Sequence, residues 1–186
     1  MRIISGKFKS KKILEPKDKA TRPLKDLTKE SIFNIITHTN KFDTELSNSN
    51  VLDLFSGVGS FGLECLSRGS SYIIFVENYK EALSVLKKNI SNMGFQKNTL
   101  IIEKDIIESL NFEKIKKKID IIFMDPPYKD KNLPKLLIKI NNANILNHKG
   151  IIIIHRHKKE KDIFPENFNI IEEKIYGISK VIFGSF

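Results

Sequence analysis

One cysteine, Cys65, is all that the 186 residues contain, so no disulfide can form within the chain and nothing in its thiol content points to an oxidising compartment. Metal-ligand spacing is missing too. His155 and His157 flank Arg156 without a cysteine or a close carboxylate, so no metal is expected. No apolar run approaches ~18 residues, and the opening "MRIISGKFKSKK" lacks the apolar stretch of a signal peptide, so the expectation is a soluble, cytoplasmic protein that avoids membranes. Acidic residues are outnumbered, 22 against 32 Lys and Arg, for a formal charge of +10. The lysines follow a general bias towards Ile, Lys and Asn, so this excess makes a polyanion a reasonable partner without identifying one. Internal repeats and low-complexity tracts are absent, and the length fits one domain with a short appendage.

That appendage is legible at the start. "RIISGKFKSKKIL" alternates apolar and polar residues around Ser5-Gly6 and predicts a basic two-stranded ribbon. "TRPLKDLTKESIFNIITH" places Ile32, Phe33, Ile35 and Ile36 at helical spacing, with Asp26 or Thr28 available as a cap. The polar segment Asn40 to Asn50 reads as a linker, so residues 1–45 form an N-terminal extension and residues 46–186 the main domain. From Asn50 onward apolar strands alternate with helical segments: "NVLDLF", "SYIIFVE", "NTLIIEKD" (followed by a helix over "IIESLNFEK"), "IDIIFMD" and "GIIIIHR". Such runs predict a parallel sheet covered on both faces, and "FNIIEEKIYG" with "SKVIFGS" predicts an antiparallel hairpin at its edge.

Ligands of open α/β sheets bind beyond the carboxyl ends of the strands. Asp53, Glu77, Asp105 and Asp125 each end a successive predicted strand, which should bring all four carboxylates to one crevice. Helix capping explains one or two such residues more readily than four in register. "DLFSGVGSFGLE" carries Gly57, Gly59 and Gly62 as G-x-G-x-x-G between a strand and a helix, a pattern that taken by itself only weakly indicates a nucleotide cofactor. A pyrophosphate would sit badly beside Asp53, whereas a sulfonium would be favoured, so adenosine without phosphate fits better: S-adenosylmethionine. Glu77 is then expected to accept from both ribose hydroxyls. Asp105 is expected to accept from the adenine amine while the N–H of Ile106 donates to the ring, although a capping role for Asp105 stays open. Phe55, Gly57, Gly59 and Asn78 complete the expected cofactor-binding set.

"MDPPYKD" carries the reaction chemistry. An exocyclic amine is a poor nucleophile because its lone pair is delocalised into the ring. The Asp125 carboxylate and the Pro126 carbonyl can accept from its two N–H groups and favour a pyramidal nitrogen. Pro126 and Pro127 fix φ and remove donors, and Tyr128 can stack on the base.

On these residues the chain resembles the class I, Rossmann-like S-adenosylmethionine-dependent methyltransferases. More closely it resembles the RsmD-type family, through "MRIISGKFKSKKI", "TRPLKD", "KESIFNII", "VLDLFSGVGSFGLECLSRG", "FVEN", "DPPY" and "YGISKVIFGS". The resemblance implies a seven-stranded mixed sheet with helices on both faces. It also implies methyl transfer to the N2 amine of a guanine in 16S ribosomal RNA, free or within a small-subunit particle, by a monomer. Lys7, Lys9, Lys11, Lys12 and Arg22 are the expected phosphate contacts. Leu27, Val58 and His155 stand where the family usually has Arg, a small hydroxyl residue and Glu. Two other readings use the same residues: a DNA adenine-N6 methyltransferase, and a non-catalytic RNA-binding or ribosome-assembly protein.

Overall fold

The computed structural model describes residues 1–16, 24–127 and 130–186. Five apolar runs become strands β1 (Asn50–Leu54), β2 (Tyr72–Glu77), β3 (Thr99–Glu103), β4 (Ile119–Met124) and β5 (Leu146–His157), all paired in parallel. β6 (Asn169–Tyr176) and β7 (Ser179–Ser185) form an antiparallel hairpin, and β7 slots beside β5 to give the order β3-β2-β1-β4-β5-β7-β6. The strand order reverses between β1 and β4, which opens a crevice at their carboxyl ends.

Each central strand is buried on both faces, and alternate side chains feed two separate cores. Val51, Ile73, Phe75, Ile121 and Phe123 face one side, where α1 (Asp26–His38), α2 (Ser60–Ser67) and α3 (Lys80–Asn92) supply Phe33, Phe61 and Leu86. Leu52, Leu54, Ile74, Ile122 and Met124 face the other side, covered by α4 (Leu133–Asn142) through Leu136, Leu137 and Ile140. Burying aliphatic side chains on both faces stabilises the sheet by roughly 1.5–3 kcal/mol for each fully buried residue.

Two local expectations give way. "IIESLNFEK" forms no α-helix: residues 106–109 are turns, and only a 3₁₀ turn follows at Phe112–Lys114. The Asp105 carboxylate takes the N–H groups of Ile107 and Glu108, and Asn111 Oδ1 takes that of Glu113. Asp105 thus caps a turn whose Ser109 and Leu110 N–H groups reach Asp105 O, but Asn111 is extended and starts the chain afresh, so the segment is too short to pass the costly helix nucleus. Leu110, Phe112 and Ile115 still reach the core from the irregular segment. In α1 neither Asp26 nor Thr28 caps the helix. Lys25 is the capping residue, without a side-chain bond, Asp26 sits in the first turn and Thr28 is buried.

The basic ribbon does pair, through an Arg2–Lys12 bridge and bonds from Ile3 N to Lys11 O (2.9 Å) and from Ile13 N to Met1 O (3.0 Å). It lies against α2. The N–H groups of Ile4 and Ser5 donate to the two oxygens of Glu64 (2.8 and 2.9 Å), and Lys7 N donates to Ser67 O (2.7 Å). Gly6 is required at this approach, because a Cβ there would fall 1.9 Å from Ser67 O at a φ of +81°. Buried Lys29 closes the contact, with Nζ 2.8 Å from Arg2 O and 3.7 Å from Glu64. Ile3 and Ile13 are buried in the same core as Phe33 and Val51, so the packing between ribbon and sheet is continuous.

Candidate active site

The glycine turn after β1 is built around two carboxylates. Asp53, wholly buried near the end of β1, accepts from Gly62 N at 3.0 Å and so anchors the first turn of α2. The approach of α2 to β2 explains the third glycine, since a Cβ at Gly62 would lie 2.4 Å from the Phe75 ring. Phe55, Gly57 and Gly59 all have positive φ, at 59°, 54° and 84°. This left-handed backbone costs Phe55 more than the glycines and turns the N–H of Gly57 onto Glu77 Oε2 at 2.7 Å. Glu77 Oε1 meanwhile accepts from Asn78 N and Tyr79 N, both at 2.9 Å. Of roughly four acceptor directions on a carboxylate, three are therefore occupied by main chain. What stays open on Glu77 lies on Oε2.

Asn78 Nδ2 donates to Asp105 Oδ2 at 3.0 Å, which links the ends of β2 and β3. Asp105 Oδ1 caps the following turn, so the carboxylate that could meet adenine is also structural, and the Ile106 side chain is buried beneath it. The Asp53 carboxyl is pushed up to about 8, first by burial, against the Gly62 N–H, and then by the charges of Asp125 and Glu77. Leu54 lies in register with Val76 of β2 and with Met124 of β4, so Glu77 and Asp125 follow on the two strands that flank β1.

On the other side of the switch point, Asp125 follows β4 with its side chain 22 % exposed, and Oδ1 lies 2.8 Å from Nδ1 of His155 on β5. Pro126 is buried and Pro127 exposed. The Pro127 carbonyl accepts from Asp130 N (2.8 Å) and from Arg156 (3.2 Å), while Asp130 O accepts from the other guanidinium nitrogen of Arg156 (2.9 Å). Asp162 holds Arg156 Nε at 2.9 Å, and all three nitrogens of the Arg156 guanidinium are thereby engaged in the interior. Tyr128 and Arg22 lie outside the described residues. Lys7, Lys9, Lys11 and Lys12 are all exposed on the ribbon; Lys7 and Lys11 lie over the Phe8 ring, and Lys11 also donates to Asn92 O.

Sequence reasoning missed the support of this loop. Arg156 enters it only as part of a failed metal pattern, and His155 as part of that pattern and as a departure from the family's usual Glu, yet the polar "HRH" that ends the apolar run "IIII" is the signal that something there must be satisfied. Among the described residues no group of three His, Cys, Asp or Glu is placed to hold a metal ion, and no helix is long and apolar enough to cross a membrane.

Comparison with known proteins shows the family and the fold. The "Putative rRNA methyltransferase YlbH" of Bacillus subtilis is 32% identical over 185 residues, covering 97% of this chain and 96% of the relative. The "Ribosomal RNA small subunit methyltransferase D" of Buchnera aphidicola (subsp. Acyrthosiphon pisum) is 31% identical over 173 residues, covering 93% and 86%. The solved structure of a hypothetical protein from Thermus thermophilus superposes with a TM-score of 0.79 at 21% identity, over 100% of this chain and 99% of that one, and shows the shared fold. The family model described as "Conserved hypothetical protein 95" matches residues 1–185, and the chain belongs to this family, the RsmD-type methyltransferases.

Proposed function

We propose that this protein is a cytoplasmic S-adenosylmethionine-dependent methyltransferase that modifies the N2 amine of a guanine in 16S ribosomal RNA. The observation that carries the reading is the Asp125-Pro126-Pro127 turn, held against β5 at the carboxyl end of β4, directly across the switch point from the carboxylates of the glycine turn. The residues present fit the cofactor: a buried Asp53 and the Glu77 and Asp125 charges favour a cation, and Glu77 Oε2 offers a hydroxyl acceptor. When bound, S-adenosylmethionine supplies a methyl group on a positively charged sulfur. Glu77 and Asn78 would hold the ribose, Asp105 and Ile106 the adenine, and Asp53 with Phe55, Gly57 and Gly59 would shape the turn beneath. Asp125 and the Pro126 carbonyl accept from the amine, which turns the nitrogen lone pair away from conjugation with the ring. The nitrogen would become cationic as it bonds to the methyl carbon and the carbon–sulfur bond breaks to leave a neutral thioether, and Asp125 would stabilise that charge before the extra proton leaves to water. A strong base is not needed. Tyr128 would stack on the base, and Lys7, Lys9, Lys11, Lys12 and Arg22 would contact phosphates.

The relatives named as small-subunit rRNA methyltransferases support this choice of acceptor over DNA. The test is to incubate the protein with labelled S-adenosylmethionine and unmethylated 16S rRNA, naked or in small subunits, beside duplex DNA, and to identify the labelled nucleotide. N2-methylguanine is expected, with a rate that falls in the order wild type, Asp125→Asn, Asp125→Ala, the last by roughly 10²-fold. Label on adenine N6 in DNA, or an undiminished single-turnover rate in folded Asp125→Ala, would overturn the assignment.

A further inference from the structure

The residue that faces Asp125 is a histidine from the neighbouring strand. His155 is buried, its side chain 6 % exposed, with Nδ1 2.8 Å from Asp125 Oδ1. An ionised carboxylate can only accept hydrogen bonds, so Nδ1 must carry the proton in this contact whatever the state of the other nitrogen. The next residue, Arg156, grips the main chain of the same turn at Pro127 O and Asp130 O and is itself locked by Asp162, which also lies 3.4 Å from Lys180. Two consecutive side chains of β5 thus brace one loop, His155 at its carboxylate and Arg156 at its carbonyls.

We propose that His155 is a positioning residue for methyl transfer: it commits Asp125 Oδ1 to the protein and so leaves Oδ2, with the Pro126 carbonyl, as the acceptor pair presented to the substrate amine. A carboxylate free to rotate would offer either oxygen in many orientations. One held through a buried imidazole, whose ring packs at the end of an apolar strand, offers a single edge. The Arg156 grip supports the same turn by holding the Pro127 and Asp130 carbonyls, which follow Pro126 in the chain. The carbonyl of Pro127 is already engaged with Arg156 and Asp130 N, so Pro126 is the one of the two prolines whose carbonyl can join Asp125 in receiving the amine. This rests on the assignment of Asp125 to the reacting amine, and the experiment separates the two ideas.

Single-turnover methyl transfer to unmethylated 16S rRNA would be compared among wild type, His155→Phe, His155→Asn and Asp125→Ala, alongside cofactor affinity by calorimetry. Phe keeps a planar ring without a donor; Asn places an N–H close to where Nδ1 lies. His155→Phe is expected to slow transfer on the order of 10–100-fold, the range for removing a hydrogen bond to a charged group, with RNA KM and cofactor affinity changed less than about twofold. Asn should recover the rate to within a few-fold. If Asp125→Ala is impaired while His155→Phe is not, or if Asn behaves no better than Phe, the positioning role is wrong although the assignment of Asp125 stands. If Asp125→Ala is itself unimpaired, both fall. Should His155→Phe not fold, nitrogen NMR of the imidazole decides: the Nδ1 resonance of His155 must shift in Asp125→Ala, and an unchanged resonance overturns the proposal.

Discussion

The two halves of the site hold their carboxylates by different means. On the proposed cofactor side the donors are main-chain, Gly62 N for Asp53, Gly57, Asn78 and Tyr79 N for Glu77, Ile107 and Glu108 N for Asp105, with the Asn78 amide on Asp105 Oδ2 the one side-chain donor among these bonds. On the acceptor side they are side chains from a strand 26 to 30 positions away, His155 for Asp125 and Arg156 for the loop carbonyls. Every residue except proline has a backbone N–H, so the first half asks only for a carboxylate and for glycines that let the chain turn. The second half depends on the identity of two particular side chains. Substitution should therefore act through ligand binding in the first half and through loop position in the second.

The largest effect is expected where buried charge is left without its partner. Arg156→Met keeps length and removes charge, so Asp162 retains Lys180 alone, Asp130 O loses the Arg156 donor and Pro127 O keeps only Asp130 N. Breaking a buried pair of this kind costs about 3–5 kcal/mol, to be read from urea unfolding midpoints. Cofactor affinity of the folded fraction should be preserved. A loss below about 1 kcal/mol, the scale of an exposed pair, would show that the loop is held by other contacts and would erase the contrast.

Glu77→Gln probes the main-chain-held half. Gln presents an amide nitrogen to N–H groups that need an acceptor and loses the charge that would meet a hydroxyl. S-adenosylmethionine binding should weaken by about 1.5–3 kcal/mol, the range for hydrogen bonds to charged groups. Unchanged calorimetric affinity would confine Glu77 to supporting the turn.

The same contrast explains what the sequence discloses. Uninterrupted apolar runs such as "IIFM" and "IIII" announce doubly covered strands, and the glycine turn with Asp53 is compact enough to be seen in one stretch. The brace is invisible there because its two ends lie on different strands whose adjacency exists only after the sheet is wound. Lys29 and Glu64 are equally opaque. Lys29 sits in a helix among other charges and Glu64 is the one charged residue of α2, and both are buried under the ribbon. The helix expected after β3 is started by Asp105 but goes no further than one turn, because Asn111 takes an extended backbone and caps a separate 3₁₀ turn.

Asp53 allows the burial of the cofactor side to be titrated. Its carboxyl is raised to about 8 in the folded protein, so the neutral acid is the form that folding favours. In the absence of cofactor, its contribution is full below about pH 4, the ordinary range of an aspartate, and is lost as pH rises towards 8. The slope is roughly 1.4 kcal/mol per pH unit at most. Asp53→Asn, which cannot ionise, should lack this decline, and the difference between the two thermal-stability profiles isolates it. Parallel profiles would mean that Asp53 is ionised in the fold. Because a bound sulfonium favours the ionised form, cofactor affinity of the wild type should also increase as pH approaches 8.

The smallest effect is expected furthest from both halves, on the ribbon. Lys7, Lys9 and Lys12 are exposed, and none of their side chains is needed for the bonds through Ile4, Ser5 and Lys29 that seat the ribbon on α2. Lys7→Gln, Lys9→Gln and Lys12→Gln combined should therefore leave the fold, Glu77 and cofactor affinity as they are. If these lysines meet phosphates, each one neutralised lowers the slope of log affinity against log salt by about 0.7–0.9, so the triple variant should bind 16S rRNA less tightly at low salt and approach wild type as salt rises. That convergence distinguishes missing phosphate partners from a displaced ribbon, which would weaken binding equally at every salt concentration. A slope that does not change would move the RNA to another face of the protein and leave the ribbon as a lid on the first core, its lysines in water and its purpose the burial of Ile3 and Ile13.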